Sequence, residues 1–87
     1  MLARVDINTL KSGKVQLALF RPRQSTGPVV DFPSANEAKT ALVAFGINQA
    51  RIESTLKMLA EIGPKEPLHF PEQELNDDAL RASGFRV

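Results

Sequence analysis

Few residues in this chain have side chains suited to chemistry. His69 is the only histidine, and no cysteine is present. That removes cysteine nucleophiles, thiolate metal sites and disulfides together. If the segments around Asp31 and His69 ran as neighbouring strands, the two could pair, with Ser34 close by at the start of a helix. A hydrolytic triad would also need an exposed nucleophile and an oxyanion hole. No Gly-x-Ser-x-Gly frame supplies either. The residues favour a plainer role, a strand histidine facing solvent between inward Leu68 and Phe70.

Glu72, Glu74, Asp77 and Asp78 gather oxygen ligands near the end of the chain, but no twelve-residue calcium loop accompanies them. Carboxylates in a helix's first turns interact favourably with its dipole, which accounts for Glu72 and Glu74 at the head of a helix predicted over 72–83. Neither a metal nor a cofactor is expected.

Lys11, Lys14, Arg21 and Arg23 are the basic residues with nucleic-acid potential. The predicted hairpin puts the first two in its turn and the last two beyond its far end. A seven-residue strand between them spans about 23 Å, so they form two small patches. Without Tyr or Trp the chain also lacks the usual stacking platforms for bases. Gly27, in Ser25-Thr26-Gly27-Pro28, has neither a Walker nor a dinucleotide fingerprint around it and reads as part of a connector. The two adjacent helices predicted below are closely linked, as in a helix-turn-helix. The second, however, shows a Glu53/Lys57/Glu61 face that would partly repel phosphate.

The elements that must position these residues follow from periodicity. Val5 and Ile7 alternate with Arg4, Asp6 and Asn8, and Val15, Leu17 and Leu19 alternate with Gln16 and Ala18. Joined by a turn at Lys11-Ser12-Gly13-Lys14, they predict a β-hairpin over 3–20. A proline-rich loop over 21–28 leads to a short strand over 29–32, stopped by Pro33. Ser34 and Glu37 have capping-box spacing at the start of a helix over 34–45, and Gly46 is its stop. Asn48 caps a second helix over 48–62, with Ile47 and Ile52 at hydrophobic-staple spacing. A further strand is predicted near 67–70, then the helix over 72–83 with Gly84 after it.

Two stretches share a pattern at an offset of 38 residues: Phe32-Pro33 through Gly46-Ile47, and Phe70-Pro71 through Gly84-Phe85. Ala41, Leu42, Ala44 and Gly46 match Ala79, Leu80, Ala82 and Gly84. Each reads as a strand, a proline break, a helix and a glycine cap with an apolar plug. Common strand-to-helix grammar explains this without a duplication, and it predicts a second β-α unit over 67–84.

Eighty-seven residues, 43% hydrophobic and 24% charged, suit one α+β domain over 1–87. The expected fold is a small antiparallel sheet covered on one face by about three helices. Charge is uneven: residues 1–33 carry five Lys/Arg against two Asp, and residues 72–87 carry two Arg against four carboxylates. The N-terminus lacks an apolar signal region and no apolar run approaches a membrane span, so a soluble, cytoplasmic protein is expected. With no catalytic constellation, the function expected is a non-enzymatic protein-interaction or regulatory accessory module, a homodimer being one form of it. Phe20, Val43, Phe85 and Val87 are its candidate contacts. The alternative is a nucleic-acid-binding module using Lys11, Lys14, Arg21 and Arg23.

Overall fold

The computed structural model describes residues 1–64 and 66–87. Among these the chain forms β1 (Leu2–Thr9), β2 (Val15–Phe20), β3 (Val29–Phe32), α1 (Ala35–Phe45), α2 (Gln49–Ile62), β4 (Leu68–Glu74) and α3 (Asp77–Ala82). The strands make one antiparallel sheet in the order β3-β2-β1-β4. The hairpin, the strand at 29–32 and the first two helices lie where the periodicity puts them.

The last third departs from expectation. Residues 72–74 continue β4 and do not begin a helix; α3 starts only at Asp77, capped by Asn76, whose Oδ1 accepts the Ala79 amide at 3.0 Å. The cause is the partner strand. β1 begins at Leu2, and its first residues find their partners in β4, Leu2 opposite Glu74 and Ala3 opposite Gln73. Proline in a strand is tolerated at an edge or a bulge, and Pro71 has both. β4 is an edge strand, and the register slips between Ala3 and Val5, where Pro71 and Glu72 together face Arg4.

All three helices cover one face of the sheet. The alternation in β1 and β2 sends Ala3, Val5, Ile7, Val15, Leu17 and Leu19 inward, where they meet Ala38, Leu42 and Phe45 of α1, Ile52 and Leu59 of α2, and Leu80. No polar side chain is buried among the described residues. In α2 the covered stripe is narrow. Ile52 and Leu59 are buried, Leu56 and Ile62 are half-buried, and Met58 is exposed. Asn48 caps this helix through its side chain, accepting the Arg51 amide at 3.1 Å, and both staple residues, Ile47 and Ile52, are buried. Ser34 occupies the N-cap of α1 in extended geometry, but its hydroxyl makes no capping bond, so the expected capping box does not close.

Phe85 also departs from expectation. Anticipated as an exposed contact, it is buried, its ring packed edge-on against Phe45 with centroids 6.1 Å apart and planes at 70°. Gly84 is the reason: its φ of 106° turns the chain back under the helix and points the next residue into the core. Val87 is half-buried against the same core. Neither belongs to a free surface.

Candidate functional site

With the helices on one side, the other face of the sheet is open. Its residues are those of opposite parity: Leu2, Arg4, Asp6 and Asn8 on β1, Gln16, Ala18 and Phe20 on β2, Val29 and Asp31 on β3, and His69 on β4. Directly opposed residues share a face, so the register draws the map. One row runs Val29, Ala18, Asp6, His69, and the row beside it pairs Phe20 with Arg4.

Phe20 is the centre of the apolar part. Ala18 precedes it by one pleat on the same strand, and Val29 and Leu2 occupy the diagonal positions on either side, within reach of an aromatic ring. Val29 is 53% exposed and Leu2 43%. The Arg4 guanidinium lies over the Phe20 ring, 4.7 Å from its centroid, and its Nε donates to Asp6 Oδ1 at 2.9 Å. This fixes an otherwise floppy arginine flat on the sheet, its charge held between a π face and a carboxylate. Gln16 Nε2 donates to Asp31 Oδ1 at 3.0 Å, a second cross-strand link. Asn8 Oδ1 is shielded from solvent and meets no donor. The face is thus preorganised, with an apolar cluster at the end where β1 and β3 begin and β2 ends, and polar residues toward the other end.

The catalytic pairing considered from sequence does not assemble. Asp31 and His69 sit on β3 and β4, the opposite edges of the sheet, with two strands between them. At about 4.8 Å per strand this is roughly 14 Å. The register partner of His69 is Asp6. The acidic residues near the C-terminus are also dispersed. Glu74 Oε2 and Asp77 Oδ1 accept from the Met1 amino group at 3.0 and 2.8 Å, and Asp78 accepts from Arg81 at 2.7 Å. These bonds hold the Asp77 carboxyl below its usual range and the amino group above its own. Among the described residues, no three His, Asp or Glu side chains converge as a metal site would require.

Lys11 and Lys14 are exposed at the hairpin turn, and Arg21 and Arg23 are exposed past the far end of β2. Six residues of strand separate the pairs, about 20 Å, and Arg21 lies in the field of Asp77. They do not form one surface. Gly27 has a structural explanation: a Cβ there would come within 1.8 Å of the Leu19 carbonyl oxygen, so the residue exists to let the loop approach β2. Val43 is 44% exposed on α1, in the helical layer on the opposite side from Phe20. Of the four candidate contacts only Phe20 lies on the open face. Leu2 and Val29, which join it there, were legible from parity: each lies an even number of residues from Arg4 or Asp31, both polar and outward.

No helix among the described residues is long and apolar enough to cross a membrane. Comparison with protein-family models, with curated proteins and with solved structures finds no match for this chain.

Proposed function

We propose that this chain is a small non-enzymatic protein-interaction module whose contact surface is the open face of its sheet, centred on Phe20. The supporting observation is the diagonal of Leu2, Phe20 and Val29 across three strands, with Arg4 pinned over the aromatic ring. An aromatic and an arginine in the middle of an apolar cluster, with polar residues beside it, is the composition of an interface hot spot. The polar links to Asp6 and Asp31 keep the face soluble when it is empty and supply directed bonds when it is filled. A cysteine-free chain needs no oxidising compartment, which suits a cytoplasmic setting.

Two variants test this. Phe20→Asp alters the centre of the apolar cluster, and Val43→Asp places the same charge on the helical layer. Self-association followed by sedimentation, and capture of protein from native extract, should both be lost in Phe20→Asp and kept in Val43→Asp, with circular dichroism confirming that both fold. Equal behaviour of the two variants sinks the reading. So does a low-salt titration with DNA or RNA that moves the Lys11, Lys14, Arg21 and Arg23 amides together, since binding that uses these residues would be driven by phosphate contacts.

A further inference from the structure

β3 forms one edge of the sheet, and its outer side has main-chain groups without partners. The Leu19 amide donates to the Pro28 carbonyl at 3.0 Å. In an antiparallel ladder hydrogen-bonded pairs alternate, so the next ones are Leu17 with Val30 and Val15 with Phe32. Val29 and Asp31 therefore turn their N–H and C=O groups away from β2, and no other described backbone meets them. Beneath this edge, on the helix side, a groove of about 430 Å³ opens between α1 and α3. Its walls include Phe32 from β3 itself, Ala41 and Ala44 from α1, and Ala79 and Ala82 from α3, with Glu37 on the rim.

We infer that the β3 edge and the α1/α3 groove together form a docking site for a short extended peptide of a partner protein, one that alternates apolar residues with Lys or Arg. A chain laid along β3 at about 4.8 Å bonds to the free groups of Val29 and Asp31 and sends alternate side chains to opposite faces. Those on the helix side lie over the apolar groove. Those on the outer side lie beside Asp31, only one of whose oxygens is occupied, by Gln16. Glu37, at the groove rim, makes no ion pair among the described residues. Both flanks are thus anionic, and the complementary segment is cationic. A second copy of β3 fits poorly, because it brings Asp31 where a cation is wanted. Pro28 and Pro33 bracket the edge and confine pairing to these few residues, so the recognised motif is short. This site borders the open face around Phe20 and shares Asp31 with it, but it is carried by the main chain of β3 and by the groove on the helix side, so either reading can fail alone.

The test is a ¹⁵N and methyl NMR titration of the full chain with the acetylated, amidated peptide Lys-Val-Lys-Val-Lys. Shifts should concentrate at the amides of residues 29–32 and at the methyl groups of Ala41, Ala44, Ala79 and Ala82. The matching Glu-Val-Glu-Val-Glu peptide should bind about fivefold more weakly or worse. Methylating the peptide's central backbone nitrogens should cost about tenfold, the loss of a directed main-chain bond. Ala82→Leu, at an exposed position, should fill the groove and weaken binding without lowering the melting temperature. The proposal fails if millimolar peptide moves nothing, or if the shifts centre on Phe20 and Arg4. It fails equally if the residue 29–32 amides shift with protein concentration alone, the sign of a second copy at the edge.

Discussion

The molecule contains two strand-then-helix units, and they are alike where they end and unlike where they begin. At the end of α1 the Gly46 amide donates to Val43 O at 3.0 Å and the Ile47 amide to Leu42 O at 3.3 Å. At the end of α3 the Gly84 amide donates to Arg81 O at 3.0 Å and the Phe85 amide to Leu80 O at 3.0 Å. Both glycines are left-handed, with φ of 99° and 106°, and both following hydrophobes are buried. At their beginnings the units diverge. After Pro33 the chain turns helical almost at once, but after Pro71 it stays extended through Glu74. A glycine cap is decided within one turn of helix, whereas a strand's length is decided by its neighbour. β2 begins at Val15, opposite Phe32, so β3 has nothing further to pair with; β1 extends back to Leu2 and draws β4 along it.

The deepest cut at this comparison is in the two plugs. Phe85→Ala should cost about 3–5 kcal/mol, a large part of the stability of a domain this size, since it empties the Phe45 contact as well as the core below α3. Ile47→Ala should fall toward the lower end of about 2–5 kcal/mol. Urea denaturation of the three proteins decides the order. A Phe85→Ala variant within about 1 kcal/mol of wild type would make the second unit an appendage and not half of the core. Next in size is the attachment of β3. This strand has four residues and depends on the close approach of Gly27 to Leu19, while β4 is fastened along seven. Gly27→Ala should destabilise on the order of 2 kcal/mol, because backbone must move to admit the methyl group. Hydrogen exchange should show the damage in β3 and spare β4.

What could be read from the sequence divides along the same line. The hairpin, both glycine stops, the Asn48 cap and the parity of the open face are local signals, each carried within a few residues. The start of α3 is not local. Pro71 followed by Glu72 and Glu74 is good helix-opening grammar, and it lost because Leu2 and Ala3 needed partners at Glu74 and Gln73, at the other end of the chain. The burial of Phe85 was half legible, since the repeat of Gly46-Ile47 in Gly84-Phe85 marked it as a plug. The same pattern should have removed it from the exposed candidates. The separation of Asp31 from His69, and the union of the β3 edge with a groove between α1 and α3, depend on strand order, which no spacing along the chain encodes.

The helix starts supply a smaller test. Asn76 binds the Ala79 amide with its side chain, and Ser34 binds nothing with its own. Asn76→Ala should therefore cost about 1 kcal/mol and Ser34→Ala a few tenths at most. Equal losses in thermal melts would mean that Ser34 forms its capping box in solution.

The smallest effect is electrostatic and belongs to one unit only. The Met1 amino group is held by Asp77 first and Glu74 second, and its pKa is raised. Asp77 is lowered, chiefly by the hydrogen bond from that amino group. A carboxylate whose folded pKa lies below its unfolded value of about 3.9 contributes fully above that value and loses its contribution as pH falls through the folded one. An amine whose folded pKa lies above about 8 contributes fully below that value and loses its contribution as pH rises through the folded one. The clasp is thus complete at about pH 5–7 and weakens on both sides. The Asp77 carboxylate is exposed and salt screens the pair, so the decline is shallow. N-terminal acetylation should flatten both sides, because it removes the titrating amine and the main cause of the lowered Asp77 together, whereas Asp77→Asn should flatten the acid side and leave on the alkaline side only the part that Glu74 holds. Because the first turn of α1 has no such partner for Glu37, amide exchange should follow this pH dependence in α3 and not in α1. The same profile in both helices would mean that the clasp acts on the whole fold, and that the two units are coupled more tightly than their separate beginnings suggest.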